Sequence, residues 1–300
     1  MGVAEILRAA RDELDSAGLR GSFLVRDLDN GDELGLDPDT EYPSASLVKV
    51  PLAVATLERV ARGELDPTTP IVVQPGRVTA PGPVGITKFR HPATIALADL
   101  LYLTLSISDN AAADALFGLT PPEAVTAELA RLGIEGISVR HLLHELTRTP
   151  TEMLDPAHAH LAHTLAITAA TAGHGHPVPQ LDISRANTGS ARAFVELLQQ
   201  IWRPSSIHPE AAAQIRRLMG ENMLRNRLAP DFGSDASRWS SKTGTLINLR
   251  HEIGVVEHAD GQTFAAAALT ESTVPAATQP AAEAVMAGVA RQLRDELRRR

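Results

Sequence analysis

The chain has 300 residues, a formal net charge of −8, 44% apolar residues and no cysteine. This is the composition of an ordinary soluble globular protein with ample core, and it excludes disulfides and thiolate metal sites. The acidic balance argues against nucleic acid as a partner, and no apolar run approaches a membrane span. Aromatics make up only 3%, so the core must rest on Ala, Leu, Val and Ile. Met1 to Leu7 lacks a basic segment followed by an apolar one. The expected location is therefore the cytoplasm, or a secreted or periplasmic site if the chain is trimmed.

In chain order, Val3, Ile6, Leu7, Ala10 and Leu14 recur at helical spacing over 3–16. A strand follows from Ser22 to Leu28, then the hairpin signal Asn30-Gly31 and a partner strand to Leu36. Residues 46–62 predict a helix apolar on nearly all sides, bent near its start by Pro51. Loops and short strands over 63–95 lead to helices at 97–106, 111–117 and 122–132. Seven of the eleven histidines lie between His141 and His176, and a helix is expected over 156–172, where it could cover a cleft. His158, His160 and His163 do not share one helix face as a ligand set would, so surface histidines and no metal are expected. Helices at 190–202 and 209–218 precede strands at 238–246, 253–257 and 263–269, the last two joined at Asp260-Gly261. A long helix from Pro280 closes the chain.

Strands at both ends with helices between them predict an α+β fold. Its five-stranded antiparallel sheet is flanked by N- and C-terminal helices, with an all-helical domain inserted. The expected division is 1–45 plus 205–300 for the sheet domain and 46–204 for the helical one, with a site at their interface.

Ser46-Leu47-Val48-Lys49 places a hydroxyl and an ammonium group on one helix face, at i and i+3. A serine hydroxyl needs an adjacent base, and a lysine serves if desolvation lowers its pKa. Alone this pattern is weak, since roughly one copy arises by chance in a chain this long. Ser108-Asp109-Asn110 and Lys242-Thr243-Gly244 follow in order. Each would arise by chance in roughly a few per cent of such chains, and all three in order in well below about one in a thousand.

With these three motifs the whole chain resembles the serine β-lactamase and penicillin-binding protein superfamily, most of all class A β-lactamases. The resemblance implies an acyl-enzyme on Ser46, with Lys49 as proton acceptor and Ser108 shuttling a proton to the leaving nitrogen. Asn110 would hold the acyl side-chain amide. Lys242 and Thr243 would bind the substrate carboxylate, and Gly244 would let substrate backbone approach. The N–H groups of Ser46 and Thr245 would form the oxyanion hole. Arg250 is a candidate second cation for the carboxylate, beside the plain reading of a surface arginine. The deacylating carboxylate of class A enzymes has only partial matches here. Glu145, in Leu143-His144-Glu145-Leu146-Thr147, is the first choice and Glu152 the second; neither is followed by the usual asparagine. The implied function is a β-lactamase-type serine hydrolase, slow in deacylation, tied to antibiotic catabolism and resistance. It would act without a cofactor, as a monomer, on small anionic acyl substrates. The alternatives are an intracellular serine esterase or amidase, and a penicillin-binding-like protein that stays acylated.

Overall fold

The computed structural model describes residues 2–75, 84–147, 157, 161–168, 175–274 and 278–300. Helix α1 (Val3–Ser16) leads into β1 (Leu19–Asp27) and β2 (Glu33–Leu36), joined through Gly31 at φ +85°. Strand β3 (Glu41–Pro43) and a 3₁₀ turn (Ala45–Val48) precede α2 (Lys49–Ala61). A hairpin of β4 (Pro70–Val73) and β5 (Ala93–Ala96) leads to α3 (Leu97–Ser106), α4 (Asn110–Leu119) and α5 (Pro122–Arg131). Strand β6 (Ile137–Ser138), α6 (His144–Thr147), α7 (Ala162–Thr168) and β7 (Thr188–Ser190) follow, then α8 (Ala191–Trp202), α9 (Pro209–Gly220) and α10 (Ala229–Phe232). The chain ends with β8 (Ser237–Leu246), β9 (Leu249–His258), β10 (Thr263–Ser272) and α11 (Pro280–Arg298).

The main sheet has the order β2-β1-β10-β9-β8, antiparallel throughout. Both of its faces are covered, as the side-chain period of two requires. Phe23, Val25, Phe264, Ala266 and Ala268 pack with α1 and α11. Leu24, Val255, Ala265, Ala267 and Leu269 face the other way, into one continuous core with α2, α3, α4, α8 and α9. The expected fold stands, with β9 and β10 longer than the sequence pattern indicated. Helix α8 lies against β1 and β10.

Two features differ from the sequence reading. A second sheet, β3-β7-β6, was not foreseen. Its strands have only three, three and two residues, too short for an alternation pattern to register. The expected helix at 46–62 is a 3₁₀ turn followed by α2, so Pro51 sits in the first turn of the α-helix. There its missing N–H is one that has no intrahelical partner anyway. Every residue from Lys49 to Glu58 is buried. Truncating one such side chain, as in Leu52→Ala, would cost about 2–5 kcal/mol. Among the described residues no helix is long and apolar enough to cross a membrane. Glu152, His158 and His160 lie outside the described residues, as does most of the helix expected over 156–172. His176 is buried, its Nδ1 accepting from the Val178 N–H at 2.9 Å.

Candidate active site

Ser46 stands in the 3₁₀ turn, one residue after Ala45, whose φ of +49° puts a non-glycine residue in the left-handed region. Such a conformation persists only where surrounding structure imposes it. The Ser44 N–H donates to the Asn187 carbonyl at 2.7 Å, and the Pro43 carbonyl accepts from His251 Nε2 at 3.0 Å. His251 is buried, with Nδ1 accepting from the Thr270 N–H at 3.1 Å, so both ring nitrogens are used in the neutral form. Burial lowers its pKa to about 3. At Gly244 an added Cβ would stand 3.0 Å from the Ser44 carbonyl oxygen and 3.1 Å from Leu47 Cγ. The room that this glycine makes is taken by the turn that carries Ser46.

Lys49 is fully buried, and its Nζ lies 3.4 Å from Ser46 Oγ, 3.1 Å from Ser108 Oγ, 2.7 Å from the Ser108 carbonyl and 2.6 Å from Asn110 Oδ1. The Ser108 carbonyl and Asn110 Oδ1 can only accept, so two N–H groups of Lys49 go to them whatever its charge. Deprotonated, Lys49 has one lone pair within reach of the Ser46 and Ser108 hydroxyls. Desolvation by burial brings the Lys49 pKa down to about 7, against an opposing pull from Asp109 and Asp114.

Ser108 has φ +62° and closes the turn between α3 and α4. Its neighbour Asp109 explains the middle residue of the second motif. The Asp109 carboxylate caps α4 by accepting from the Ala111 and Ala112 N–H groups. It also accepts from the Ile86 N–H at 2.5 Å and from Thr87 Oγ1 at 2.7 Å. The cap thus locks the Ser108 turn against the 3₁₀ turn at Gly85–Lys88.

Lys242 enters from β8, the edge strand, and donates to Ser108 Oγ at 3.0 Å and to the Thr243 carbonyl at 2.8 Å. Ser108 Oγ is therefore held between two buried lysines. Desolvation lowers the Lys242 pKa well below its ordinary value, and Lys49 and Arg227 push it further. Thr243 is buried and Thr245 exposed at the end of β8.

A buried cation beside the edge strand that the sequence analysis missed is Arg227. It is buried and donates to the Gly244 carbonyl at 2.9 Å, the His251 carbonyl at 2.7 Å and Thr245 Oγ1 at 2.7 Å. Glu283 of α11 orients it through Nε at 3.1 Å. Arg227 lies on an irregular loop where a lone arginine carries no periodic signal. Arg250 is not a surface residue: it is buried, and it donates to the Ile247 and Leu249 carbonyls at 2.9 and 2.7 Å.

Glu145 sits in α6, with 38% of its side chain exposed, and its Oε1 is 3.3 Å from His144 Nε2. The segment is tethered by Asp114, which accepts from the Leu143 and His144 N–H groups at 2.6 and 2.9 Å. The hydrogen bonds of Lys49 go to Ser46, Ser108 and Asn110 and not to Glu145.

A sheet with a helical insertion, and a serine beside a buried lysine that also meets a second serine, itself held by another buried lysine, define a protein of the β-lactamase and transpeptidase class. The sequence pattern described as the beta-lactamase enzyme family matches residues 4–297, and the chain belongs to that family. It is 60% identical over 304 aligned positions to "Beta-lactamase regulatory protein BlaB" of Streptomyces cacaoi, covering 98% of this chain and 97% of the relative. Among solved structures it is similar to a β-lactamase from Chitinophaga pinensis, with a TM-score of 0.74, 21% identity, and 98% and 99% of the two chains covered. It is also similar to PBP-A, with a TM-score of 0.76, 17% identity, and 99% and 97% covered. These two likenesses speak for the fold alone.

Proposed function

We propose that this chain is a serine hydrolase of the β-lactamase type that opens β-lactam rings through an acyl-enzyme on Ser46, with slow deacylation. The observation that carries the reading is the fully buried Lys49, its Nζ 3.4 Å from Ser46 Oγ and 3.1 Å from Ser108 Oγ, with burial bringing its pKa down to about 7. In the first half-reaction Ser46 Oγ attacks the ring carbonyl carbon while Lys49 takes the hydroxyl proton. The N–H groups of Ser46 and Thr245 receive the oxyanion, and such a donor is typically worth about 3–4 kcal/mol of barrier. As the carbon–nitrogen bond breaks, Ser108 gives its proton to the nitrogen. Its position between Lys49 and Lys242 supports that shuttle. The substrate carboxylate lies toward Lys242, Thr243 and Arg227, where its charge favours a protonated Lys242. Asn110 Oδ1 is used by Lys49, which leaves Nδ2 for the acyl amide carbonyl.

The second half-reaction needs a water held and deprotonated near the ester carbon. Glu145 is the candidate carboxylate; it is partly exposed, its Oε1 lies 3.3 Å from His144 Nε2, and it is not followed by the asparagine of the class A pattern. That supports slow hydrolysis of the adduct. A second reading is favoured by the 60% identity to the β-lactamase regulatory protein of Streptomyces cacaoi: a regulator in which acylation itself is the signal. Stopped-flow absorbance with a chromogenic cephalosporin, followed by intact-mass measurement, separates them. A burst and continuing turnover support the hydrolase, a stable adduct without turnover supports the regulator, and no adduct rejects both.

A further inference from the structure

Outside the cleft, a concavity of about 550 Å³ opens between the end of α9, the loop into α10 and the start of β8. Two arginines line it, Arg225 and Arg238. Both are exposed and, among the described residues, neither has an ion pair; Arg225 uses one N–H on the Trp239 carbonyl at 3.3 Å, and Arg238 has no hydrogen bond there. Most arginines elsewhere in this acidic chain meet a carboxylate, as Arg26, Arg59, Arg62, Arg131 and Arg192 do.

Glycines seat both guanidinium groups. A Cβ on Gly220 would stand 2.5 Å from Arg238 Nη2, and one on Gly233 would stand 3.2 Å from Arg225 Nη2. A cation near the last turn of α9 is favourable in itself, which accounts for part of the placement of Arg238. It does not account for Arg225, nor for two unpaired forks on one concavity. A guanidinium presents five donors in a planar fork that matches an oxyanion. The remaining wall is Ala229, Pro230 and the Ser234–Ser237 turn, with the apolar share that an organic body would cover.

We propose that this pocket binds the phosphate group of a small organic phosphate through Arg225 and Arg238. The site is separate from the acylation machinery but connected to it. Trp239 on the pocket wall donates through Nε1 to Glu252 at 2.9 Å, and Glu252 accepts from the Leu228 N–H at 2.7 Å. Leu228 follows Arg227, so a hydrogen-bonded path runs from the pocket wall to the loop that carries Arg227.

The test is calorimetric titration of the full chain with inorganic phosphate, glycerol 3-phosphate, acetate and glycerol at physiological salt. Binding of inorganic phosphate in the millimolar range is expected, at least tenfold tighter binding of glycerol 3-phosphate, and none of acetate or glycerol. Arg225→Gln/Arg238→Gln should abolish it; Arg238→Lys, which keeps the charge but loses the fork, should weaken it about tenfold. Arg90→Gln, at an exposed arginine elsewhere, should leave it unchanged. The proposal is overturned if phosphate does not bind at 20-fold millimolar excess, if acetate binds as well as phosphate, or if the double variant binds like the parent while its circular dichroism is native. These outcomes do not depend on whether Ser46 is acylated.

Discussion

The surroundings of Ser46 and those of Glu145 are built differently. Around Ser46, Lys49 and Lys242 are buried, the strained turn is tied to β7 and β9, and Ser108 is held from both sides. Around Glu145, the carboxylate is partly exposed and leans on a neighbouring histidine, and the segment is anchored through Asp114 rather than through the nucleophile. Preorganised groups in a dry site act strongly, whereas a solvated carboxylate must be fixed before it can hold a water. Under the proposed function the contrast translates into two separable tasks, making the adduct and clearing it, with the better-ordered surroundings serving the first.

The largest effect that would test this contrast is loss of the nucleophile. Ser46→Ala should remove labelling by a β-lactam or fluorophosphonate altogether, read as the mass of the intact protein and of the peptide containing residue 46. Labelling elsewhere with activity retained would collapse the comparison.

Next in size is Lys49→Ala, for which acylation should fall by about 10²–10⁴-fold, the range of a positioned general base. In the parent protein the acylation rate should fall as pH drops through about 7, because protonation removes the lone pair. The sign for stability is the same. The Lys49 pKa is depressed when folded, so the unfolded chain binds more protons between about 7 and 10.5, and stability should rise with pH across that window. A flat acylation profile from pH 5.5 to 9 would remove Lys49 as the base.

Lys242→Ala sharpens the comparison at the carboxylate end. It should slow acylation by anionic substrates about tenfold more than by neutral esters, since only the former offer a charge to pair. Equal losses would assign Lys242 to the proton path alone. Asp109→Ala should act mainly on stability: losing the α4 cap costs about 1–2 kcal/mol, read as a lower urea midpoint.

The smallest effect is expected on the other side. Glu145→Gln should leave the burst within about twofold and lower the steady rate by about tenfold or less, below what a fully positioned base supplies. An unchanged steady rate would make the carboxylate a bystander. A trapped adduct would show that the segment closes over the ester when substrate is bound.

Much of this was legible from local patterns. The helices at 3–16 and 97–106 stand where apolar spacing put them, and both glycine hairpins turn as expected, Gly31 and Gly261 having positive φ. The three motifs were readable because each places its groups within a few residues on one turn or strand. The short strands β6 and β7 were not, being too brief to show a period.

By itself the sequence determined the antiparallel sheet assembled from both ends and the helical insertion, and it singled out Ser46, Lys49, Ser108, Asn110 and Lys242, which the fold brings together. Only tertiary structure decided that Lys49 would be dry enough to have a pKa near 7, because desolvation depends on what α2, α4 and β8 jointly exclude. It also decided that Arg250, opposite Thr245 in the β8–β9 register, would be buried with its guanidinium on the Ile247 and Leu249 carbonyls, while Arg227, fixed by Glu283 and two backbone carbonyls distant in sequence, reaches Thr245 Oγ1. Gly244 was visible as a motif letter, but the Ser46 turn resting on it became visible only when strand and turn met. Pattern along a chain carries local geometry; burial and pairing are properties of neighbours the chain brings together from far apart.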